Sequence, residues 1–108
     1  MTARCKHCGQ LVDGFDAEAV IFRAKFSHLQ ARIFRCIAGG NGQFVGWQFI
    51  AMKAYADDPL GGPDNAANVI TAMIFRMRRK LRELGVTIEG HKGGDGGYRI
   101  SVDKENAA

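Results

Sequence analysis

An apolar stripe with helical spacing, followed directly by two alternating segments, restricts the fold of this chain more than any other feature. In NVITAMIFRMRRKLRELG (68–85), apolar side chains recur at intervals of three and four residues. The stripe consists of Ile70, Met73, Ile74, Met77, Leu81 and Leu84. This spacing predicts a helix over 64–84 with one face against a core, capped by Asp64 and stopped by Gly85.

After Gly85 the spacing of the apolar residues changes from helical to alternating. VTIE (86–89) and YRISV (98–102) place apolar residues at every second position, and a Gly-rich loop separates them. Two alternating segments around such a loop predict a β-hairpin over 86–102.

The face of the long helix opposite the stripe is strongly basic. It carries five cations from Arg76 to Arg82, and no acid stands between Asn65 and Arg82 to pair with them inside the helix. A solvated charged face is one interpretation, but the missing acids and the isolated Phe75 favour a face that binds an anionic partner. The outward positions are Asn68, Thr71, Ala72, Phe75, Arg76, Arg78, Arg79 and Arg82.

Two shorter helices are predicted before the basic one. FSHLQARIFRCIAGG (26–40) begins with the capping-box pair Ser27 and Gln30 and ends at two glycines. GWQFIAMKAYA (46–56) reads as a second helix with Phe49, Ile50 and Tyr55 facing inward.

Around these helices, AVIF (19–22) is interpreted as a short strand and DDPLGGPD (57–64) as a loop. The order predicts an α+β winged helix-turn-helix, with three helices, a C-terminal hairpin wing and a short N-terminal extension. We expect the extension to occupy 1–18, the winged helix 19–102 and a disordered tail 103–108.

Residues 26–102 resemble the C-terminal effector domain of OmpR/PhoB-type response regulators. That family combines a spaced recognition-helix motif with a wing that closes on Gly-x-Gly-Tyr-Arg. The matching positions are Val69, Ile70, Ile74, Met77, Arg78, Lys80, Leu81, Ile88 and 96–100. The resemblance implies a bacterial or phage transcriptional regulator that binds specific double-stranded DNA, with helix 64–84 in the major groove and hairpin 86–102 as wing. We expect a stand-alone effector domain without a receiver domain.

Individual side chains can be given expected roles on DNA. Asn68, Thr71 and Arg76 are candidates for base edges. Phe75 either contacts a thymine methyl or packs against another protein or a neighbouring long side chain. Further along the helix, phosphate contacts are expected from Arg78, Arg79, Lys80 and Arg82. Tyr55 stands where the family has a phosphate-contacting Trp, and His91 and Lys92 are the expected wing contacts.

The sequence is also compatible with protein partners. A homodimer on DNA is compatible with the pattern, as is contact with RNA polymerase. The alternative function is a winged-helix module that docks onto RNA polymerase or another regulator without reading DNA.

The N-terminal Cys5-Lys6-His7-Cys8-Gly9 has the spacing of a zinc knuckle. One such pair supplies two of the four ligands of tetrahedral zinc, so His7, His28, Cys36, His91 or a second chain would have to complete a site at Cys5 and Cys8. Unligated thiols and a redox pair are the other interpretations.

Composition excludes several classes of function. The 108 residues suffice for one domain, and the net charge of +4 suits an anionic partner. No apolar run approaches the roughly 18 residues of a membrane span, and no signal-peptide core is seen, so a cytoplasmic location is expected. Hydrolase, zinc-protease and phosphate-loop motifs are missing, so no enzyme activity is expected.

Overall fold

The computed structural model describes residues 2–5, 10–12, 14–56, 65–91 and 97–102. Within these ranges the chain forms an α+β fold of four helices and a mixed sheet of five strands. The elements are β1 (Ala3–Cys5), β2 (Leu11–Val12), α1 (Ala17–Ala24), α2 (His28–Ala38), β3 (Val45–Gly46), α3 (Trp47–Ala54), α4 (Ala66–Leu81), a 3-10 turn (Arg82–Leu84), β4 (Val86–His91) and β5 (Gly97–Val102).

The sheet is organised around β5. Strand β4 pairs with it antiparallel along its whole length, from Val86 opposite Val102 to His91 opposite Gly97. On the other side, β3 pairs antiparallel with the beginning of β5 and β1 pairs parallel with its end. The alternating segments therefore form the predicted hairpin, and the short extended piece before α3 lies beside it.

The N-terminal segment belongs to the same sheet. Strand β1 lies between β2 and β5, and Ala3 and Cys5 are buried. The predicted boundary at residue 18 falls inside α1. Within the described residues, the extension is thus continuous with the rest of the fold.

The core lies between the helices and the hairpin. The stripe of α4 is confirmed: Ile70, Ile74, Met77 and Leu81 are fully buried, and Met73 and Leu84 pack partly buried against the same cluster. Helix α2 contributes Ile33, Phe34 and Ile37, while β4 and β5 contribute Ile88 and Ile100.

The strand expected at 19–22 is wrong, because these residues lie in the middle of α1. The Asp16 carboxylate caps this helix by accepting a hydrogen bond from the Ala19 amide at 3.1 Å, and Lys25 ends it in the left-handed conformation at φ 56°. A four-residue apolar run has no period of its own, so it fits a strand and a buried helix turn equally well. The described chain consequently has four helices instead of the predicted three.

The ends of the other helices follow local sequence closely. The capping box of α2 is confirmed by hydrogen bonds in both directions between Ser27 and Gln30, at 3.3 and 3.0 Å. The 3-10 turn after α4 ends at Gly85, whose φ of 69° lies in the left-handed region. The expected cap Asp64 lies outside the described residues.

One inward position of α3 is corrected. Ile50 is buried as expected and Tyr55 is half-buried, but Phe49 is 47% exposed. The helix has only eight residues, and Ile50 and Ala54 already occupy its core-facing line. Phe49 is displaced about 100° from Ile50 and faces the groove beside α2.

Candidate nucleic-acid interface

The outward face of α4 is a continuous solvent-accessible surface. All eight side chains predicted to point away from the core are exposed, with Phe75 at 62%. Arg76, Arg79 and Arg82 make no hydrogen bond or ion pair within the described residues. We call these three side chains the arginine ridge. Its positive charge is not neutralised by the described part of the protein.

A groove of about 360 Å³ runs between α4 and the hairpin. It brings together three of the predicted site residues, Thr71, Arg78 and His91, although they are far apart in sequence. Trp47, at the start of α3, lines the same groove and was not anticipated. No local pattern marks Trp47, because its position depends on the pairing of β3 with β5.

Arg78 joins the helix to the hairpin. Its Nε donates a hydrogen bond of 3.0 Å to the carbonyl oxygen of Ile88 on β4. Its guanidinium also lies over Gly90, where a Cβ would be in ordinary van der Waals contact with Nη2, at 3.5 Å. The expected phosphate contact therefore comes from a side chain that already has a structural bond, with its other N–H groups remaining as donors.

Lys80, another expected phosphate contact, is directed towards the protein. Its Nζ donates to the carbonyl of Lys25 at 3.2 Å and to the Gln30 side chain at 2.8 Å. It also lies 5.7 Å from the centre of the Phe26 ring. These bonds fasten α4 to the junction of α1 and α2.

Thr71 has a restricted hydrogen-bonding role. Its hydroxyl donates to the carbonyl of Ala67 one turn earlier, at 2.9 Å. This local bond leaves the hydroxyl oxygen as an acceptor and the methyl group as an apolar surface. In this conformation Thr71 can contact an amino group or a thymine methyl, but it does not offer a donor.

Phe44 organises the outer surface of the hairpin, and sequence analysis missed it. The rings of His91 and Phe44 are packed edge to face, with their centres 5.0 Å apart, and the Arg99 guanidinium carbon lies 4.4 Å from the centre of the Phe44 ring. This cluster holds His91 at the end of β4. The other expected wing contact, Lys92, lies outside the described residues.

A salt bridge crosses the same surface of the hairpin, where Arg99 Nε lies 2.6 Å from Glu89 Oε2. Burial by itself raises the pKa of the Glu89 carboxyl, but the hydrogen bond and charge of Arg99 oppose it, and the pKa is lowered overall. The positive charge of Arg99 is therefore balanced by the Glu89 carboxylate, whereas the side chains of the arginine ridge have no such partner within the described residues.

The remaining predicted site residues are Tyr55, Cys5 and Cys8. Tyr55 follows α3 directly and packs half-buried against the core. Cys5 is a buried thiol in β1, whereas Cys8 lies outside the described residues. Within the described ranges, no group of three or more His, Cys, Asp or Glu side chains is placed to hold a metal ion.

The fold and the surface define an α+β protein with a basic helix beside a β-hairpin. Comparison with family models, curated proteins and solved structures gives no match. In the described part of the chain, no helix has the length and apolar character needed to cross a membrane.

Proposed function

We propose that this chain is a sequence-specific double-stranded DNA-binding protein and a transcriptional regulator, built as a winged helix of the OmpR/PhoB type. The observation that carries the proposal is the arginine ridge, an exposed row of positive charge without an acidic partner in the described part of the chain, on the helix that packs against the hairpin. The order α2, β3, α3, α4, hairpin supports it, as does the pairing of β3 with β5.

The dimensions of α4 suit the major groove, which is about 12 Å wide and admits a helix. From Asn68 to Arg82 the exposed face extends roughly 21 Å at about 1.5 Å per residue. In the proposed complex, Phe75 and Arg76, near the middle of this length, would meet base edges, while Arg79 and Arg82 would contact phosphates. Arg76 can donate two hydrogen bonds to guanine, and Phe75 offers an apolar surface to a thymine methyl.

The hairpin would act as the wing in this complex. Arg78 holds β4 to α4, so the helix and hairpin would approach the duplex in a fixed relative orientation. His91 at the end of β4, together with Lys92, would then contact the flanking backbone. Trp47 and Thr71 lie on the groove between these two DNA-contacting elements. Tyr55 as a phosphate contact, the homodimer and the zinc knuckle at Cys5 and Cys8 remain predictions.

Selection of bound duplexes from a random DNA pool tests the proposal, followed by titration of the selected site at several salt concentrations. We expect a recurrent sequence and an affinity that falls steeply with salt. Arg76→Ala should weaken the selected site by about 1–3 kcal/mol and random DNA by less, if Arg76 reads a base. Arg23→Ala, which removes an exposed cation from α1, is the control and should change neither affinity.

Two outcomes would change the conclusion. Equal losses on both DNAs would make Arg76 a phosphate contact instead of a base reader. If no duplex is bound at any salt concentration, the DNA-binding function is wrong and the alternative, a module that docks onto RNA polymerase or another regulator, takes its place. Repeating the selection with a chelator tests whether the Cys-x-x-Cys pair holds a metal needed for binding.

A further inference from the structure

A second groove lies between α2 and α3, and none of its described lining residues belongs to the groove at the hairpin. It encloses about 560 Å³. Cys36, Val45 and Phe49 form its apolar wall, and Arg32, Arg35 and Lys53 stand around it. Its volume lies within the range of roughly 300–1,000 Å³ that is usual for small-molecule sites, which are also mostly apolar with a few charged groups.

The apolar wall includes the residue that sequence analysis had placed in the core. Phe49 presents almost half of its surface to solvent at this groove. Burial raises the pKa of the neighbouring Cys36 thiol, an effect that the positive charge of Lys53 reduces but does not cancel. The thiol therefore stays protonated at neutral pH and behaves as a small apolar group beside Val45 and Phe49.

The three cations differ in whether they already have hydrogen-bond or ion-pair partners. Arg35 donates two hydrogen bonds to the Glu18 carboxylate, at 2.6 and 2.9 Å, and Arg32 donates to the carbonyl of Ala54 at 3.2 Å. Lys53 lies 5.4 Å from the centre of the Phe49 ring and has no acidic partner within the described residues. An uncompensated ammonium thus stands directly beside the apolar wall.

We propose that this groove binds a small anionic amphiphile, a carboxylate with an unbranched alkyl chain of medium length. The chain would lie along Cys36, Val45 and Phe49, and the carboxylate would pair with Lys53. Charge complementarity selects this class, because the lining residues within the described ranges include three cations and no acid. None of its described lining residues is among those proposed to contact DNA, so either proposal can fail without the other.

Titration of the full chain with decanoate below its micelle concentration, followed by backbone amide NMR, tests the site. The largest shifts should map to Cys36, Val45, Phe49 and Lys53. Decyltrimethylammonium has the same chain with the opposite charge and should bind at least about tenfold more weakly, equivalent to roughly 1.4 kcal/mol. From hexanoate to decanoate the affinity should rise by up to about fourfold per methylene, and acetate should not bind.

Variants with matched controls test the contributions of the Lys53 charge and of the Phe49 apolar surface separately. Lys53→Gln should weaken decanoate about tenfold, whereas Arg23→Gln, which removes an exposed cation from α1, should not. Phe49→Ser should weaken it comparably, whereas Phe22→Ser, at a phenylalanine that is 83% exposed on α1, should not. Denaturant unfolding of each variant verifies that it folds.

Three results would overturn the proposal. Equal binding of the two decyl compounds would mean an unselective apolar patch. Shifts centred elsewhere, or unaffected by Lys53→Gln, would place decanoate outside the groove. Tight binding of an acidic amphipathic Glu/Leu peptide at Phe49 and Lys53, without decanoate binding, would reassign the groove to a protein partner.

Discussion

The cations of α4 fall into two groups that differ in their surroundings. Arg78 and Lys80 donate to β4 and to the α1–α2 junction, so they hold the helix in place. The arginine ridge, on neighbouring turns of the same helix and on the 3-10 turn that follows it, makes no hydrogen bond or ion pair within the described part of the chain. One basic segment thus contains both structural cations and cations left for a ligand.

The two grooves differ in a comparable way. The groove at the hairpin is bordered by Thr71, Arg78 and His91, whereas the groove between α2 and α3 has Cys36, Val45 and Phe49 in its wall. A polar border beside exposed arginines suits a polyanion. An apolar wall beside Lys53, which has no acidic partner in the described part of the chain, suits a small anionic amphiphile.

Removing the arginine ridge should have the largest effect. In the Arg76→Ala, Arg79→Ala, Arg82→Ala triple variant, the slope of log affinity against log salt should become shallower by about 0.9 for each ridge arginine that contacts a phosphate. Stability should hardly change, because exposed substitutions usually stay within about 0.5 kcal/mol. Fluorescence anisotropy with a labelled duplex at several salt concentrations measures the slope. An unchanged slope would mean that the ridge is only a solvated face.

Arg78→Ala should act on stability as well as on binding. It leaves the Ile88 carbonyl without this donor and removes one hydrogen bond between α4 and β4, which should lower the free energy of unfolding by about 1–2 kcal/mol. Urea unfolding checks this, with Arg79→Ala, the adjacent ridge arginine, as the matched control of unchanged stability. If Arg78→Ala unfolds like the wild type, the distinction between the two groups of cations fails at this residue.

The smallest effect concerns the neutralised cation, Arg99. Since the folded pKa of Glu89 is lowered, its ion pair should stabilise the fold above the unfolded carboxyl pKa, and this stability should be lost as pH falls through the folded pKa. The contribution should be at most about 1 kcal/mol, because the pair is partly exposed. Urea unfolding at pH 7 and pH 3 should show a larger decrease for the wild type than for Glu89→Gln. Equal decreases in both proteins would mean that the pair contributes nothing.

Much of the candidate site could be located from sequence because α4 is long and periodic. About four turns of consistent spacing, at 3.6 residues per turn, fix both its buried stripe and its outward face, including the arginine ridge. The same method failed at 19–22, where one short apolar run belongs to a helix, and at Phe49, where an eight-residue helix allows only a narrow contact with the core. Short elements contain too few repeats for their period to determine which side is buried.

The sequence by itself determined the elements whose signals are local: the capping box of α2, the stop at Gly85, the stripe of α4 and the alternation of β4 and β5. Tertiary structure alone decided the long-range contacts, such as β1 beside β5, Trp47 beside Thr71, and Phe44 between His91 and Arg99. Tertiary structure also determined that Arg78 and Lys80 form hydrogen bonds to other segments while the arginine ridge does not within the described residues. The physical reason is that spacing along a helix gives the direction of a side chain, whereas its hydrogen-bond partners come from whichever segment packs there.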